Sequence, residues 1–285
     1  MKYDYGFRID VGQNVGSGHF FRCLSIAQEL KKLNKEVIFL INDEIEFVRH
    51  LGDYEFPYLE FTSSDESNRI SSCKEELKNI KNLIIDLPFE NEAYSKNFHD
   101  ICNTFVIDDL GNKEIFSHGV FNSSIVTEFH TYDIKSKFTK TFTGPKYFIL
   151  RDEIKKEREN VKLSRDSIKK ILLTFGGFDS AGLSMKILPI FKELDFDVTI
   201  VIGHSNQNGE KIEELCNDNN CMKVNYSQKD FTKLLSSHDL VISSSGLVSY
   251  ELAFLGLPSI FIASETWENS TASYLEKNGF GVNYG

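Results

Sequence analysis

The chain has 285 residues, of which 41% are hydrophobic and 26% charged, a composition typical of a globular protein with one large or two ordinary domains. Its formal net charge of -10 disfavours a protein that coats nucleic acid, because an acidic surface repels a phosphate backbone at long range. That charge leaves room for a local positive pocket that binds one anionic ligand.

The sequence carries no sign of a membrane anchor or a metal centre. Its longest apolar runs, around residues 37–41 and 258–263, are too short to cross a bilayer, and the N-terminus has no signal peptide or lipidation motif. The five cysteines lack the spacing of zinc ligands, although Cys216 and Cys221 are near enough in sequence to pair. We therefore expect reduced thiols and a cytoplasmic protein.

Short strand-like runs alternate with amphipathic helical stretches in the first half of the chain. Predicted strands cover residues 5–9, 36–41, 83–86 and 104–108, and predicted helices cover residues 20–33 and 91–101. The strands are apolar on both faces, as in a parallel sheet covered by helices.

The same alternation restarts after a charge-dense stretch. Strands are predicted at residues 169–175, 197–202, 239–243 and 259–262, with a helix over residues 247–255. The sequence therefore predicts Rossmann-like domains over residues 1–150 and 167–285, with residues 151–166 as a charged surface helix and linker.

A glycine-rich turn follows the first strand and leads into a helix. It contains Gly16, Gly18 and His19. The positive end of the helix disfavours an imidazolium, so His19 would be a neutral general base. The alternatives are a helix-capping histidine and a dinucleotide-binding turn, but the third glycine of that turn is missing.

Arg8 and Asp10 flank the end of the first strand, where side chains line the ligand-binding edge of such folds. Both residues can contact a ligand there, or they can form an ion pair that orders the loop. We keep both interpretations for Asp10 and favour the structural one for Arg8.

Two further turns of small residues precede helices in the second half. Gly176 and Gly177 are suited to close contact with a phosphate, or to a tight turn with Asp179 as the helix N-cap. The turn at 244–246 leaves backbone N–H groups open for a diphosphate. Glu251, just over one helical turn later, can accept hydrogen bonds from both ribose hydroxyls or lie on the helix surface.

Motifs in chain order resemble those of one enzyme family. They are Arg8-Ile-Asp10, Gly16-Ser-Gly-His19-Phe-Phe-Arg22, Val106-Ile-Asp-Asp109, Tyr147-Phe-Ile-Leu-Arg151-Asp-Glu153, Gly176-Gly-Phe-Asp179 and Ser243 to Glu251. Over essentially the whole chain, the pattern resembles the nucleotide-sugar hydrolases of pseudaminic acid biosynthesis and their spore-coat polysaccharide relatives. It is also similar to the domain fused behind cytidylyltransferases in gene clusters for sialic-acid-like sugars.

This resemblance implies a GT-B-like α/β fold, with the parallel sheets of two Rossmann-like domains facing each other across a cleft. It implies release of UDP from a 2,4-diacetamido-2,4,6-trideoxyhexose, without a metal or other cofactor, in nonulosonic acid or surface-glycan biosynthesis. A cytidylyltransferase or another biosynthetic enzyme is the implied protein partner.

Together with the resemblance, the positions of these residues suggest a role for each. We assign catalysis to His19 and Asp10, nucleotide binding to one set of residues and substrate binding to another. The nucleotide-binding set is Gly176, Gly177, Ser244, Ser245, Gly246 and Glu251, and the substrate-binding set is Gly16, Gly18, Arg22, Asp86 and Glu268.

The sequence departs from the family at two places in the implied sugar pocket. Asp86 is followed by Leu87 and Pro88 where the family often has histidine and tyrosine, and Trp267 and Glu268 replace an Asn-Gln pair. Three functions therefore stay open. They are hydrolysis of a nucleotide sugar, glycosyl transfer from a UDP-sugar, and non-catalytic binding of a nucleotide sugar.

Overall fold

The computed structural model describes residues 2–11, 17–42, 45–60, 74–87, 92–161, 167–203, 206–217, 222–225 and 231–285. The chain divides into two compact units, Met1–Ile149 and Leu150–Gly285. Each unit contains a parallel β-sheet with helices between its strands, so the predicted α/β class is confirmed. Among the described residues, no helix is long and apolar enough to cross a membrane.

The first unit is built on a sheet of seven described strands, in which every pairing is parallel. The spatial order is β3-β2-β1-β4-β5-β7-β9, and β6 pairs separately with β8. The strands are β1 (Tyr3–Ile9), β2 (Val37–Ile41), β3 (Tyr58–Glu60), β4 (Ile80–Asp86), β5 (Asn103–Ile107), β6 (Lys113–Ile115), β7 (Gly119–Asn122), β8 (Tyr132–Ile134) and β9 (Lys140–Thr143). The chain reverses its direction of winding between β1 and β4, and the carboxyl end of that strand pair is where folds of this type bind ligands.

Helices of the first unit connect these strands. They are α1 (Gly18–Lys32), α2 (Ile45–Asp53), α3 (Lys74–Leu77) and α4 (Glu92–His99), with 3₁₀ turns at Thr127–His130 and Pro145–Tyr147. In α1, Phe20, Leu24 and Ala27 recur at helical spacing and are buried against Phe7 and Ile9 of β1. This packing fixes the start of α1 above the end of β1.

The strand register sets which side chains meet at the edge of the first sheet. Ile9 at the end of β1 lies beside Asp86 at the end of β4, and Phe7 lies beside Ile84. Residues paired in this way point to the same face of the sheet, which is the face covered by α1. Asp86 therefore lies on the face covered by α1, two residues after the apolar Ile84.

The second unit repeats the same strand order. Its described strands form a parallel sheet in the order β12-β11-β10-β13-β14-β15. They are β10 (Lys170–Thr174), β11 (Asp197–Val201), β12 (Met222–Asn225), β13 (Leu240–Ser243), β14 (Ser259–Phe261) and β15 (Val282–Asn283). The reversal of winding falls between β10 and β13, so the ends of these two strands are the expected ligand-binding edge.

Helices of the second unit begin within the stretch that the sequence predicts to be a linker. They are α5 (Asp152–Glu157), α6 (Leu183–Ile187), α7 (Gly209–Asn217), α8 (Phe231–Ser237), α9 (Leu247–Leu255) and α10 (Thr266–Lys277), with a 3₁₀ turn at Leu188–Glu193. Ile154 of α5 is fully buried, and α5 packs on α8 and α9. The predicted helix is therefore present at residues 152–157, and its one buried apolar residue anchors it to the second unit, while the predicted domain limits stay a prediction. Residues 162–166 lie outside the described part of the chain.

Three cysteines are free and buried in the structure. They are Cys23, Cys102 and Cys216. Cys73 and Cys221 lie outside the described residues.

The loop after β5 is held by a buried carboxylate. Asp108 accepts hydrogen bonds from the Tyr132 hydroxyl (2.7 Å) and the Gly111 N–H (2.7 Å), and its other oxygen pairs with Lys113 (2.7 Å). Burial and the charge of Asp108 raise the pKa of Tyr132 well above its usual range, so this hydroxyl remains a donor. Gly111 has φ +63°, and a Cβ there would overlap the carbonyl oxygen of Phe129.

Replacement of Gly111 by alanine tests how tightly this loop is packed. We expect Gly111→Ala to lower the free energy of unfolding by about 2–4 kcal/mol, because a left-handed backbone and a steric overlap both oppose the methyl group. Denaturant unfolding of the purified variant measures the loss. Gly52→Ala is the control, since a Cβ at Gly52 on α2 meets no atom within 4 Å. An equal effect of both substitutions contradicts the prediction.

Two histidines stack near the amino ends of β5 and β7 in the first sheet. The rings of His99 and His118 have centroids 4.5 Å apart and an interplanar angle of 13°. His118 Nδ1 accepts a hydrogen bond from the Thr104 N–H (3.0 Å), so this nitrogen is unprotonated. Burial and the neighbouring His99 lower the pKa of His118.

A lowered histidine pKa makes stability depend on pH. The unfolded chain takes up a proton near pH 6.5, whereas the folded chain does so only at lower pH, so stability falls as the pH drops below about 6.5. We expect His118→Asn to retain an acceptor for Thr104 and to show a smaller loss of stability between pH 7 and pH 5. Urea unfolding at each pH measures this difference, and parallel pH profiles of the two proteins would exclude a contribution from His118.

Candidate functional site

His19 is the second residue of α1, at the carboxyl edge of the first sheet. Its Nδ1 lies 2.7 Å from Oδ1 of Asp86, and its side chain is 18% exposed. The predicted glycine turn is described from Ser17 onward, and Gly18 is the first residue of α1. Gly16 lies outside the described residues, so its predicted contact with substrate stays a prediction.

Asp86 is a fully buried carboxylate that accepts hydrogen bonds from three neighbours, Arg22, His19 and Cys23. Burial opposes its charge, but the charges and hydrogen bonds of Arg22 and His19 outweigh that effect and hold its pKa well below the usual range. An ionised carboxylate only accepts hydrogen bonds, so the short contact with His19 requires a proton on Nδ1. With that proton on Nδ1, Nε2 is the ring nitrogen available to accept a further proton, and no other described residue hydrogen-bonds to it.

Arg22, one turn after His19 on α1, binds two carboxylates at once. Its Nε and Nη2 donate to the two oxygens of Asp86 at 2.9 and 2.7 Å. Its Nη1 and Nη2 donate to the two oxygens of Asp109 at 2.7 and 3.0 Å. Cys23 adds a weak hydrogen bond to Asp86 (3.4 Å), and burial and Asp86 raise the pKa of this thiol. The planar guanidinium is therefore occupied along two of its edges.

These contacts change the roles that the sequence predicts for Asp86 and Arg22. Both were expected to bind substrate, yet the side chain of Asp86 is 0% exposed and that of Arg22 only 4% exposed. Their charged groups bond to one another, to His19 and to Asp109, so neither is free to contact a substrate directly in this conformation. The sequence placed the two residues in the site, but it did not reveal that they pair.

Asp10 and Arg8 form the ion pair that was one of the two interpretations of these residues. Arg8 Nη1 donates to Asp10 (2.6 Å) and to the carbonyl of Ile9 (2.7 Å), and its Nε donates to the Tyr94 hydroxyl (2.8 Å). Arg8 is fully buried, which agrees with the structural role favoured for it. A catalytic role for Asp10 stays a prediction.

The Gly176–Gly177 loop follows β10 at the corresponding edge of the second sheet. Gly176 has φ +74°, a conformation that favours glycine. Gly177 packs directly against Gly203, where an added Cβ would overlap the Gly177 backbone. Asp179 accepts hydrogen bonds from the N–H groups of Leu183 (2.8 Å) and Ser184 (3.0 Å), the first residues of α6, although the N-cap residue itself is Gly182 and not the predicted Asp179. Both features fit the tight-turn interpretation, and contact of this loop with phosphate stays a prediction.

The Ser244–Gly246 turn joins β13 to α9. Ser245 donates to the main-chain carbonyl of Glu268 (2.8 Å), and Gly246 is the N-cap of α9. Two buried hydroxyls have no hydrogen-bond partner among the described residues, namely Oγ of Ser243 just before this turn and Oγ of Ser264 in the loop before α10. Free N–H groups at a helix start and unpaired hydroxyl donors are the chemistry that binds an anion.

Glu251 lies on α9, and Arg151 binds both of its carboxylate oxygens. Arg151 Nε and Nη2 each donate at 2.7 Å, and the side chain of Glu251 is 8% exposed. The alternative of a surface glutamate is therefore wrong for Glu251. Each carboxylate oxygen retains one further acceptor position, as contact with two ribose hydroxyls requires.

Glu268 is nearly buried in the first turn of α10. Its Oε2 accepts a hydrogen bond from the Ser264 N–H (2.7 Å), and its Oε1 lies 3.3 Å from the position that a Cβ on Gly246 would take. Burial raises the pKa of Glu268, although donors from Ser264, Glu265 and Ser244 partly counteract this effect. This carboxyl therefore adjoins the candidate anion-binding turn, and its contact with a sugar stays a prediction.

Two residues of these clusters were not among the predicted site residues. In the sequence, Asp109 and Arg151 are members of the family-like motifs, with no role of their own predicted. Each offers a signal in the sequence, because Asp109 closely follows β5 at the carboxyl edge of the sheet and Arg151 precedes an acidic helix start. Among the described residues, no group of three or more His, Cys, Asp or Glu side chains is arranged to hold a metal.

Comparison with known proteins finds distant relatives along nearly the whole chain, although no protein-family model matches. An uncharacterised protein of Methanocaldococcus jannaschii is 29% identical over 94% of this chain, which spans only 57% of that relative. The spore coat polysaccharide biosynthesis protein SpsG of Bacillus subtilis is 23% identical, with 98% of this chain and 83% of the relative covered. The UDP-2,4-diacetamido-2,4,6-trideoxy-beta-L-altropyranose hydrolase of Campylobacter jejuni is 24% identical, with 98% of each chain covered.

Solved structures with a similar fold include glycosyltransferases and a UDP-GlcNAc 2-epimerase. MurG of Acinetobacter baumannii aligns with a TM-score of 0.60 at 15% identity, covering 98% of this chain and 85% of that protein. A glycosyltransferase of Rickettsia africae aligns with a TM-score of 0.59 at 14% identity, covering 99% of this chain and 84% of that protein. The chain therefore has the GT-B-like fold with two Rossmann-like domains that the sequence predicts.

Proposed function

We propose that the protein is a nucleotide-sugar hydrolase that releases UDP from an amino or deoxy sugar used in surface-glycan biosynthesis. The observation that carries the proposal is the pair formed by His19 and Asp86, which leaves Nε2 of a partly exposed imidazole as a free acceptor. A distant relative along the full chain is named as a hydrolase of such a substrate, and another as a spore coat polysaccharide biosynthesis protein, which supports the class of reaction.

Groups of the second unit are suited to bind the leaving nucleotide. The start of α9 after Ser244–Gly246 offers backbone N–H groups to a diphosphate, and the unpaired hydroxyls of Ser243 and Ser264 are further donors. Glu251, fixed by Arg151, accepts the ribose hydroxyls. The N–H groups and the two hydroxyls stabilise the negative charge that develops on the leaving diphosphate.

In the proposed step, Nε2 of His19 removes a proton from a water molecule as the water oxygen attacks the anomeric carbon. The bond between that carbon and the diphosphate oxygen breaks, and its electron pair leaves with UDP. Asp86 holds the ring in the required tautomer and stabilises the imidazolium that forms. The product is the free sugar with inverted anomeric configuration.

Glycosyl transfer is the second candidate, favoured by the fold that the chain shares with glycosyltransferases. The same imidazole then removes a proton from an acceptor hydroxyl instead of water. The two reactions differ in whether the oxygen that bonds to the anomeric carbon comes from water or from the acceptor hydroxyl.

Incubation with a panel of UDP- and CMP-linked amino sugars in H₂¹⁸O, with and without an acceptor sugar, separates these functions. Hydrolysis predicts one ¹⁸O atom in the released sugar and none in the nucleotide, as measured by mass spectrometry. Transfer predicts an unlabelled glycoside that forms only with acceptor. Tight nucleotide binding without any product would show a binding domain and reject both reactions.

Removal of the imidazole gives a direct test of the base. We expect His19→Ala to lower kcat by about 10²–10⁴-fold, the usual contribution of a positioned base. Asp86→Asn should cause a comparable loss, because an amide can hold the ring in the wrong tautomer. The dissociation constant of UDP, measured by calorimetry, should stay within about threefold in His19→Ala. Unchanged turnover in that variant removes His19 from the mechanism.

The ribose contact is tested by combining a variant with a modified nucleotide. A hydrogen bond to a charged group contributes about 1.5–3 kcal/mol, so we expect Glu251→Gln to weaken UDP binding about 10–100-fold. A UDP analogue without ribose hydroxyls should bind the wild type as weakly, with little further loss in the variant. Glu214→Gln, at an exposed position on α7, is the control. Additive losses from the variant and the analogue contradict a ribose contact.

A further inference from the structure

Asp109 lies just beyond β5, and its carboxylate reaches back to α1. Both of its oxygens accept hydrogen bonds from Arg22, at 2.7 and 3.0 Å, and its side chain is 32% exposed. The adjacent Asp108 points elsewhere and anchors the loop through Tyr132 and Lys113. The two neighbouring carboxylates therefore have separate functions. Asp108 fixes the loop, and Asp109 faces the cluster formed by His19, Arg22 and Asp86.

Charge balance shows what Asp109 adds to this cluster. Without it, the positive charge of Arg22 would neutralise Asp86, and the pair beside His19 would carry no net charge. With it, Arg22 is shared between two carboxylates, and the three residues together carry one negative charge. A net negative charge stabilises the imidazolium that forms when His19 accepts a proton, whereas a neutral pair does so only weakly.

We propose that Asp109 is a positioning residue that acts through Arg22 and Asp86 to make His19 a stronger base. This inference rests on the proposed function insofar as it concerns catalysis, but the effect on the ring exists without substrate. Asp109 does not contact the imidazole in the described structure. It partly neutralises the positive charge of Arg22, and it holds the guanidinium in the orientation that donates to Asp86.

The other charged groups near His19 do not supply this charge. Asp10 is paired with Arg8, and the Cys23 thiol is neutral because burial and Asp86 raise its pKa. The start of α1 contributes a positive potential, which opposes an imidazolium. Asp86 and Asp109 are therefore the carboxylates that favour protonation of the ring, whereas Arg22, whose Nη2 lies 3.2 Å from His19 Nδ1, opposes it.

Nitrogen-15 NMR of the imidazole in the substrate-free protein tests the proposal directly. We expect Asp109→Asn to move the midpoint of the His19 titration to lower pH by about half a unit, the size of effect expected from losing one charge at a partly exposed site. Asp109→Glu, which retains the charge, should leave the midpoint near that of the wild type. Asp100→Asn is the matched control, since Asp100 is fully exposed in the same unit.

Kinetics then extend the test to the reaction. The acid limb of the kcat/KM profile should move to lower pH in Asp109→Asn by the same amount as the NMR midpoint, with little change in KM. Identical midpoints in Asp109→Asn and Asp100→Asn would overturn the proposal, whatever the reaction proves to be. If Asp109→Asn does not fold by circular dichroism, Asp109→Ser takes its place and the same comparison decides.

If the NMR midpoint shifts and no substrate is hydrolysed, the charge effect stands and the proposed function fails. The two claims are thus tested by separate measurements.

Discussion

The buried carboxylate of Asp86 is the constraint on which the candidate site depends. It lies at the end of a central strand with no exposure to solvent, and such a charge is stable only if donors surround it. Arg22 and His19 provide those donors from successive turns of one helix. The stability of the first unit and the orientation of the proposed base therefore depend on the same hydrogen bonds, and selection for one maintains the other.

Much of the fold follows from the sequence, because alternating apolar runs and helical periodicity are local signals. The predicted strands around β1, β2, β4 and β5, and the helix that became α9, are all present with small shifts of boundary. The short strands β3, β6 to β9, β12 and β15 were not predicted, since a few residues of mixed polarity carry too little pattern, whereas the equally short β13 and β14 stand in apolar runs. The packing of α5 through Ile154 was also missed, because a single apolar residue within a charged run gives no period.

For the candidate site too, the sequence predicts features that depend on neighbouring residues and misses those that depend on distant ones. The sequence identifies His19, Glu251 and the glycine turns, because each stands at the junction of a strand and a helix. It does not reveal that Asp86 lies beside Ile9, or that Arg151 reaches Glu251, since these pairings connect residues 77 and 100 positions apart. Such contacts follow from strand order and register, which a list of motifs does not contain.

The contact between Gly177 and Gly203 has a mechanical consequence for the second unit. Two backbones that touch without intervening side chains leave no compressible layer between the loops after β10 and β11. A ligand that displaces one loop must therefore displace the other as well. Room for a bulkier ligand at either loop would therefore require paired changes in both segments.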